Sequence, residues 1–143
     1  MRAATETDLS RLTTLLADND LPTDDLPTLD MTWFKVVEQA GKIVAAGGLE
    51  PVGDFALLRS LVTDKRARGL GLAGQLVTAL EQLASDRNIE TLYLLTTTAE
   101  DYFQRRGYDV CERESVPAAI KASAQFSSLC PDSAAVMRKV LAG

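Results

Sequence analysis

The sequence predicts a single mixed α/β (α+β) domain over residues 1–143, with a mostly antiparallel sheet, one central parallel strand pair and flanking helices. Three observations predict it. Residues 33–63 divide into three strand-like runs, WFKVVEQ, IVAAGGLEP and FALLRSLVT, joined by close turns at Ala40–Gly41–Lys42 and Val52–Gly53–Asp54, which implies an antiparallel meander. Leu72, Leu76, Leu80 and Leu83, with Ala73, Val77 and Ala84 beside them, draw one broad apolar helical stripe that ends at Ser85–Asn88. IETLYLLTT at 89–97 then reads as a buried strand. The run Phe55–Val62, the helix and Ile89–Thr97 therefore form a β-α-β unit, whose strands are expected to be parallel.

The other elements follow in chain order. A short strand at Met1–Ala4 precedes a helix capped by Thr5 or Thr7, whose Leu12, Leu15 and Leu16 make an apolar face ending near Ala17–Asn19. NDLPTDDLPTLD, with two prolines and many turn-formers, reads as a loop or broken helix with solvated acids. AEDYFQRRGY is a short helix stopped at Gly107, and YDVCERES a strand. Pro117 suits the first turn of a helix through about Gln125, because its missing N–H would be unpaired there in any case. SAAVMRKVL closes the chain as a strand.

Composition narrows the chemistry. The longest apolar runs, around Leu57–Val62 and Leu92–Leu95, are far short of a membrane span, and Met1–Ser10 is too acidic and polar for a signal peptide. A cytoplasmic protein is the expectation. Cys111 and Cys130 form neither a CxxC pair nor a dense framework, so they read as unpaired thiols. The absence of histidine removes Ser-His-Asp and Cys-His catalysis and the commonest transition-metal ligand, and no metal site is expected. Net charge is −5, with seven acids against Arg2 and Arg11 in residues 1–30. That balance speaks against nucleic-acid binding; the one tight basic cluster is Lys65, Arg66 and Arg68.

That cluster opens TDKRARGLGLAGQL, residues 63–76, where a strand hands over to a helix. Glycine in a helix costs roughly 1 kcal/mol relative to alanine, so Gly69, Gly71 and Gly74 need a reason beyond folding. A helix N-terminus offers unpaired N–H groups and partial positive charge, and glycines let a ligand approach the backbone. The segment Arg68, Gly69, Leu70, Gly71, Leu72, Ala73 would cradle a pyrophosphate. GLGLAG spells a dinucleotide fingerprint, but no acid lies about 20 residues on at the end of the next strand. A Walker loop would need Gly-Lys-Ser/Thr, and Gly74 is followed by Gln75.

A motif of this kind placed after an antiparallel meander resembles that of the GCN5-related N-acetyltransferases (GNAT). Their (Gln/Arg)-x-x-Gly-x-(Gly/Ala) pattern is matched by Arg68-x-x-Gly71-x-Ala73, and the element order is similar over nearly the whole chain. LLRSLV, LYLLTTTAEDYF and FSSLCP also resemble the arsenic-resistance N-acetyltransferase subgroup. The resemblance implies a GNAT fold with a splayed parallel strand pair, acetyl-CoA as co-substrate, a small-molecule amine as acceptor and a homodimer as one assembly. It implies that Leu61, Val62 and Thr63 offer backbone to pantetheine, that a backbone N–H near Leu61 or Val62 polarises the thioester carbonyl, and that the Arg68–Gly74 loop, Thr96 and Phe103 contact the cofactor. The acceptor would be an amino acid or a glutamate-like antibiotic.

Glu50, after Gly47–Gly48 and before Pro51, occupies a position where the family often places its base, and with no histidine a partly buried glutamate is the best remaining one. An exposed turn glutamate is the alternative. Arg59 and Ser60 interrupt an apolar strand. A buried arginine must be paired, so Arg59 either bridges Glu50 or Asp54 or binds an acceptor carboxylate bidentately, with Ser60 beside it. Many members carry Asn-x-x-Ala-x-x-Phe-Tyr; here the frame reads Thr96-x-x-Ala99-x-x-Tyr102-Phe103. Phe103 thus takes the place of the family's acid unless the register slips and Tyr102 serves. Two readings follow: direct acetyl transfer in a ternary complex, or a non-catalytic acyl-CoA-binding module.

Overall fold

The computed structural model describes residues 1–21, 23–123 and 134–141. The strands are β1 (Arg2–Ala3), β2 (Phe34–Gln39), β3 (Lys42–Val52), β4 (Phe55–Thr63), β5 (Thr91–Thr96), β6 (Asp109–Cys111) and β7 (Ala135–Val140). The helices are α1 (Leu9–Asp18), α2 (Leu72–Asp86), α3 (Glu100–Arg105) and α4 (Ala118–Lys121). The sheet runs β1-β2-β3-β4-β5-β7-β6. β4 and β5 are parallel, whereas β1–β2, β2–β3, β5–β7 and β6–β7 are antiparallel. This is the mixed sheet that the meander and the β-α-β unit predict. The chain packs as two units, residues 1–50 with 58–83 and residues 51–57 with 84–143, so β4 begins in one and ends in the other.

In the first unit, Leu12, Leu15 and Leu16 of α1 pack with Leu26, Met31, Phe34, Val36, Ile43, Ala46 and Val62. The apolar stripe of α2 places Leu72 and Leu76 against Val37, Ala45 and Ala67. Gly48 pairs across the β2–β3 ladder with Phe34, and a Cβ at Gly48 would stand 2.3 Å from the Phe34 ring. Glycine there lets the ring lie on the strand. The 19–33 segment carries two single 3-10 turns, Leu26–Thr28 and Met31–Trp33, with Leu26 fully buried as its anchor. One of its acids departs from the solvated reading: the Asp25 carboxylate is largely buried against Arg59.

In the second unit, Leu57, Tyr93, Val116, Ile120 and Val136 form a core, and Phe103 meets the buried Tyr108 edge to face. The strand expected over YDVCERES is shorter than its composition suggests. β6 stops at Cys111 because Glu112 begins a 3-10 turn, its carbonyl accepting both the N–H and the hydroxyl of Ser115. The helix after Pro117 covers Ala118–Lys121 and stops short of the expected end near Gln125, because Ala122 is its C-terminal cap and the Ser123 N–H turns back to the Ile120 carbonyl; residues 124–125 and Cys130 lie outside the described residues. Among the described residues no helix is long and apolar enough to cross a membrane.

The start of α1 is fixed by charge as well as by leucines. The Asp8 carboxylate is buried and accepts from both terminal nitrogens of Arg2, from Arg11 Nη2 and from the Thr5 backbone N–H, at 2.8–2.9 Å. The bonded Arg2 guanidinium holds the Asp8 carboxyl well below the usual carboxylate range, against burial, which pushes it up. A carboxyl depressed in the folded state stabilises the fold fully above its ordinary pKa of about 4 and loses that contribution as pH falls further. Asp8→Asn is therefore expected to cost about 1–3 kcal/mol at neutral pH. In urea melts from pH 7 to pH 2 the gap to wild type should narrow progressively as pH falls below about 4; a pH-independent gap would show that the charge of Asp8 is not what matters.

Candidate functional site

The first unit carries the glycine loop at the end of β4. The N–H of Asp64 bonds to the Val44 carbonyl at 2.7 Å, and the Asp64 carboxylate caps a 3-10 turn over Lys65–Ala67 through the Arg66 N–H. Ala67 is buried, whereas Arg68, Gly69, Leu70 and Gly71 are exposed. Gly69 and Gly71 have φ of +87° and +74°, and a Cβ on either would meet nothing within 4 Å. Backbone conformation, rather than crowding, demands glycine there. The Gly71 carbonyl accepts the Gln75 N–H, so α2 opens at Leu72 with the amides of Leu72 and Ala73 ahead of any helical acceptor. Arg68 lies beside the loop, its Nη2 on Asn19 Oδ1 at 2.9 Å. An open approach, helix-end amides and a guanidinium fit a phosphate-bearing ligand.

Leading into this loop, β4 is irregular. Its parallel register with β5 covers Phe55↔Thr91, Ala56↔Leu92 and Leu57↔Tyr93, yet β4 continues to Thr63 and β5 to Thr96. Ser60 has φ +57°, a left-handed residue inside a strand, which costs on the order of 1–3 kcal/mol and interrupts the pleat. Four successive residues, Ala56 to Arg59, are buried, where an ordinary strand would alternate. Leu61, Val62 and Thr63 follow the break.

Arg59, whose side chain is fully buried, is the most heavily engaged residue of β4. Its Nη1 bonds to Asp25 Oδ2 at 2.5 Å and Glu50 Oε1 at 2.8 Å, its Nη2 to Asp25 Oδ1 at 2.7 Å and its Nε to Ser60 Oγ at 3.2 Å. Burial pushes the guanidinium pKa down, but the two carboxylates more than offset it, and the group stays charged. The bonded Arg59 in turn holds the Asp25 carboxyl below its ordinary value. Three of the residues singled out in the sequence, Glu50, Arg59 and Ser60, thus meet in one cluster. The fourth member, Asp25, was not among the sequence candidates; the available signal was that one partner is too few for an arginine so fully buried.

The second unit holds the remaining candidates. The Thr96 hydroxyl accepts the N–H groups of Thr98 and Ala99 and so shapes the approach to α3. Phe103 is buried, while half-buried Tyr102 stacks on it at 5.2 Å with the Arg106 guanidinium 5.7 Å from the Tyr102 ring centroid. Burial pushes the Cys111 thiol pKa up, which leaves it a poor nucleophile.

The sequence profile of the Acetyltransferase (GNAT) family matches residues 5–108. This chain belongs to that family. Among curated relatives, the amino-acid acetyltransferase of Pseudomonas syringae pv. syringae is 32% identical over 92 residues, which is 63% of this chain and 21% of that protein. The amino-acid acetyltransferase of Pseudomonas aeruginosa PAO1 is 32% identical over 88 residues, 60% of this chain and 20% of that one. The GNAT chain thus spans about a fifth of the length of these relatives. Among solved structures, N-acetylglutamate synthase from Neisseria gonorrhoeae, complexed with coenzyme A and N-acetyl-glutamate, superposes with a TM-score of 0.85 at 16% identity, over 99% of this chain and 35% of that one. A Mycobacterium tuberculosis protein in complex with CoA gives 0.83 at 24%, over 99% and 98%. At these identities the likeness is one of fold.

In this GNAT chain a β-branched residue at position 71 would be forced into the left-handed region and would put a side chain over the open backbone of the loop. Gly71→Val is expected to cost about 1–3 kcal/mol of stability. Calorimetric titration should show CoA affinity at least tenfold weaker. Unchanged affinity in a folded variant would remove the loop from the cofactor site.

Proposed function

We propose that the chain transfers an acetyl group from acetyl-CoA directly to the amino group of a small molecule of amino-acid type. The observation that carries this reading is the open, positive-φ glycine loop at the N-terminus of α2, directly downstream of a strand whose parallel ladder stops at Leu57. The family match and the amino-acid acetyltransferase names of its relatives support the same reading. Bound acetyl-CoA supplies an activated acyl thioester. The Arg68–Gly74 loop would hold its phosphates, with Gly69 and Gly71 keeping the backbone open. The edge of β4 at Leu61, Val62 and Thr63 would offer amide partners, with the Leu61 N–H as the donor to the carbonyl oxygen. Thr96 and Phe103 keep the cofactor-contact role that the family frame implies; Phe103 stands in that frame's acid position, and Tyr102 would protonate the departing sulfur only with the frame slipped by one residue.

Glu50 is the proposed base. Its Oε1 is fixed by Arg59 and its side chain is 18% exposed, so one edge of the carboxylate is oriented and the group still reaches solvent. An ammonium cannot attack until it has lost a proton, and that is the step Glu50 would serve. Direct transfer is favoured over a covalent acyl-enzyme because the chain has no histidine to activate either cysteine. The resemblance of LLRSLV and LYLLTTTAEDYF to the arsenic-resistance subgroup supports a small amino-acid-like acceptor.

A non-catalytic CoA-binding module is the second reading, favoured by one observation: the residue in the family acid's position is a buried phenylalanine, Phe103. Thiol release from acetyl-CoA with a panel of amines separates the two. Glu50→Gln is expected to lower kcat by about 10²–10⁴, most deeply near neutral pH, where the amine is protonated and must give up a proton, with CoA affinity unchanged by calorimetry. Turnover equal to wild type across the pH range would exclude Glu50 as the base. Absence of thiol release by the wild-type protein with every amine would favour the binding module.

A further inference from the structure

The Arg59 fork already has a carboxylate in it. The two oxygens of Asp25 face the two terminal nitrogens of Arg59 in a parallel pair, the geometry by which arginine recognises a ligand carboxylate. Glu50 takes a second bond from Nη1, and Ser60 Oγ takes the Nε–H. Four of the five guanidinium N–H donors are thereby directed at groups of this chain. Asp25 is not held there by charge alone. It precedes the fully buried Leu26, and its carbonyl accepts both the N–H and the hydroxyl of Thr28, so the 3-10 turn fixes its backbone. The cluster holds two carboxylates, one of them the proposed base Glu50, against one guanidinium, a net charge of −1. An incoming carboxylate finds the fork taken and two like charges next to it; an incoming ammonium finds a carboxylate edge.

We infer that Asp25 sets the charge preference of the acceptor end: as a built-in ligand of Arg59, it directs that end toward amino-acid-type amines with no side-chain acid to place on the arginine. This rests on the proposed transferase reading and narrows its acceptor to neutral or cationic side chains. It also assigns Arg59 a latent capacity, since an uncharged side chain at position 25 would leave the buried guanidinium one carboxylate short and let an incoming carboxylate compete for its fork. Asp25 acts through Arg59 and is a specificity-determining, not a catalytic, residue.

Two measurements on the wild-type chain and on Asp25→Asn test this. In the first, acetyl transfer to glutamine and to glutamate is compared, a pair alike in shape and different by one charge. The wild-type protein should prefer glutamine at least tenfold in kcat/KM, and Asp25→Asn should shift the glutamate-to-glutamine ratio at least tenfold toward glutamate with CoA affinity unchanged. In the second, which needs no turnover, glutarate alone is titrated during thermal unfolding. It should raise the Tm of Asp25→Asn in a saturable manner and leave the wild-type Tm in place. Equal use of the two acceptors by the wild-type protein, or an equal response of both proteins to glutarate, would overturn the inference. If Asp25→Asn does not fold, the wild-type acceptor pair decides alone. If thiol is released with no amine by either protein, the transferase reading fails and the glutarate titration still decides the role of Asp25.

Discussion

A charged guanidinium buried within a strand is the constraint on which the first unit depends. Removing such a group from water costs several kcal/mol, and the cost is met only when geometry and hydrogen bonds are both good. Here it is met from two directions. Glu50 comes from the end of β3, beside β4 in the sheet, and Asp25 from the segment between α1 and β2. The arginine thus ties the 19–33 segment to β4 more tightly than its two short 3-10 turns could, and the buried Leu26 next to Asp25 reinforces the same attachment with apolar contact. The proposed base is oriented by the same bond network, so stability and site geometry share one set of contacts.

The irregularity of β4 has a compatible logic. A strand that paired β5 along its whole length would have its edge amides committed to the ladder. In this chain the ladder covers Phe55 to Leu57, Ser60 adopts φ +57° three residues later, and the glycine loop opens after Thr63. The strain at Ser60 is offset by what surrounds it: its hydroxyl is bonded to Arg59 Nε, and Val62 beyond it is buried in the first unit's core. Left-handed residues then recur at Gly69 and Gly71, where the side chain is absent and the backbone faces open space. The proposed reading assigns this order of strand, break, loop and helix end to a long ligand carrying amides and phosphates.

How much of this was legible in the sequence follows from how local each signal is. The meander and α2 were legible because each is written in its own residues, as close turns at Gly41 and Gly53 or as leucines repeating at 72, 76 and 80. Gly69 and Gly71 were legible for the same reason, since glycine advertises positive φ. Ser60 does not, and its conformation follows from tertiary context. The Arg59–Glu50 bond could be anticipated from one charge set among leucines. Asp25 could not, because it lies 34 residues away from Arg59 in a proline-rich segment whose placement depends on where Leu26 is buried. The over-long β6 reading has a local cause as well: YDVCERES has strand-like composition, but Ser115 closes a turn on the Glu112 carbonyl.

The most direct test of the account is nitrogen-15 NMR of the arginine side chains in the wild-type protein, with Arg59 assigned by its loss in Arg59→Lys. A guanidinium clamped by two carboxylates should show a slowly exchanging Nε–H and resolved, slowly rotating terminal N–H₂ groups, unlike the exposed Arg66 and Arg68. That signature should persist when CoA binds. An Arg59 signal that exchanges and rotates as fast as those of the exposed arginines would mean that Asp25 and Glu50 do not hold the guanidinium, and would contradict the account at its base.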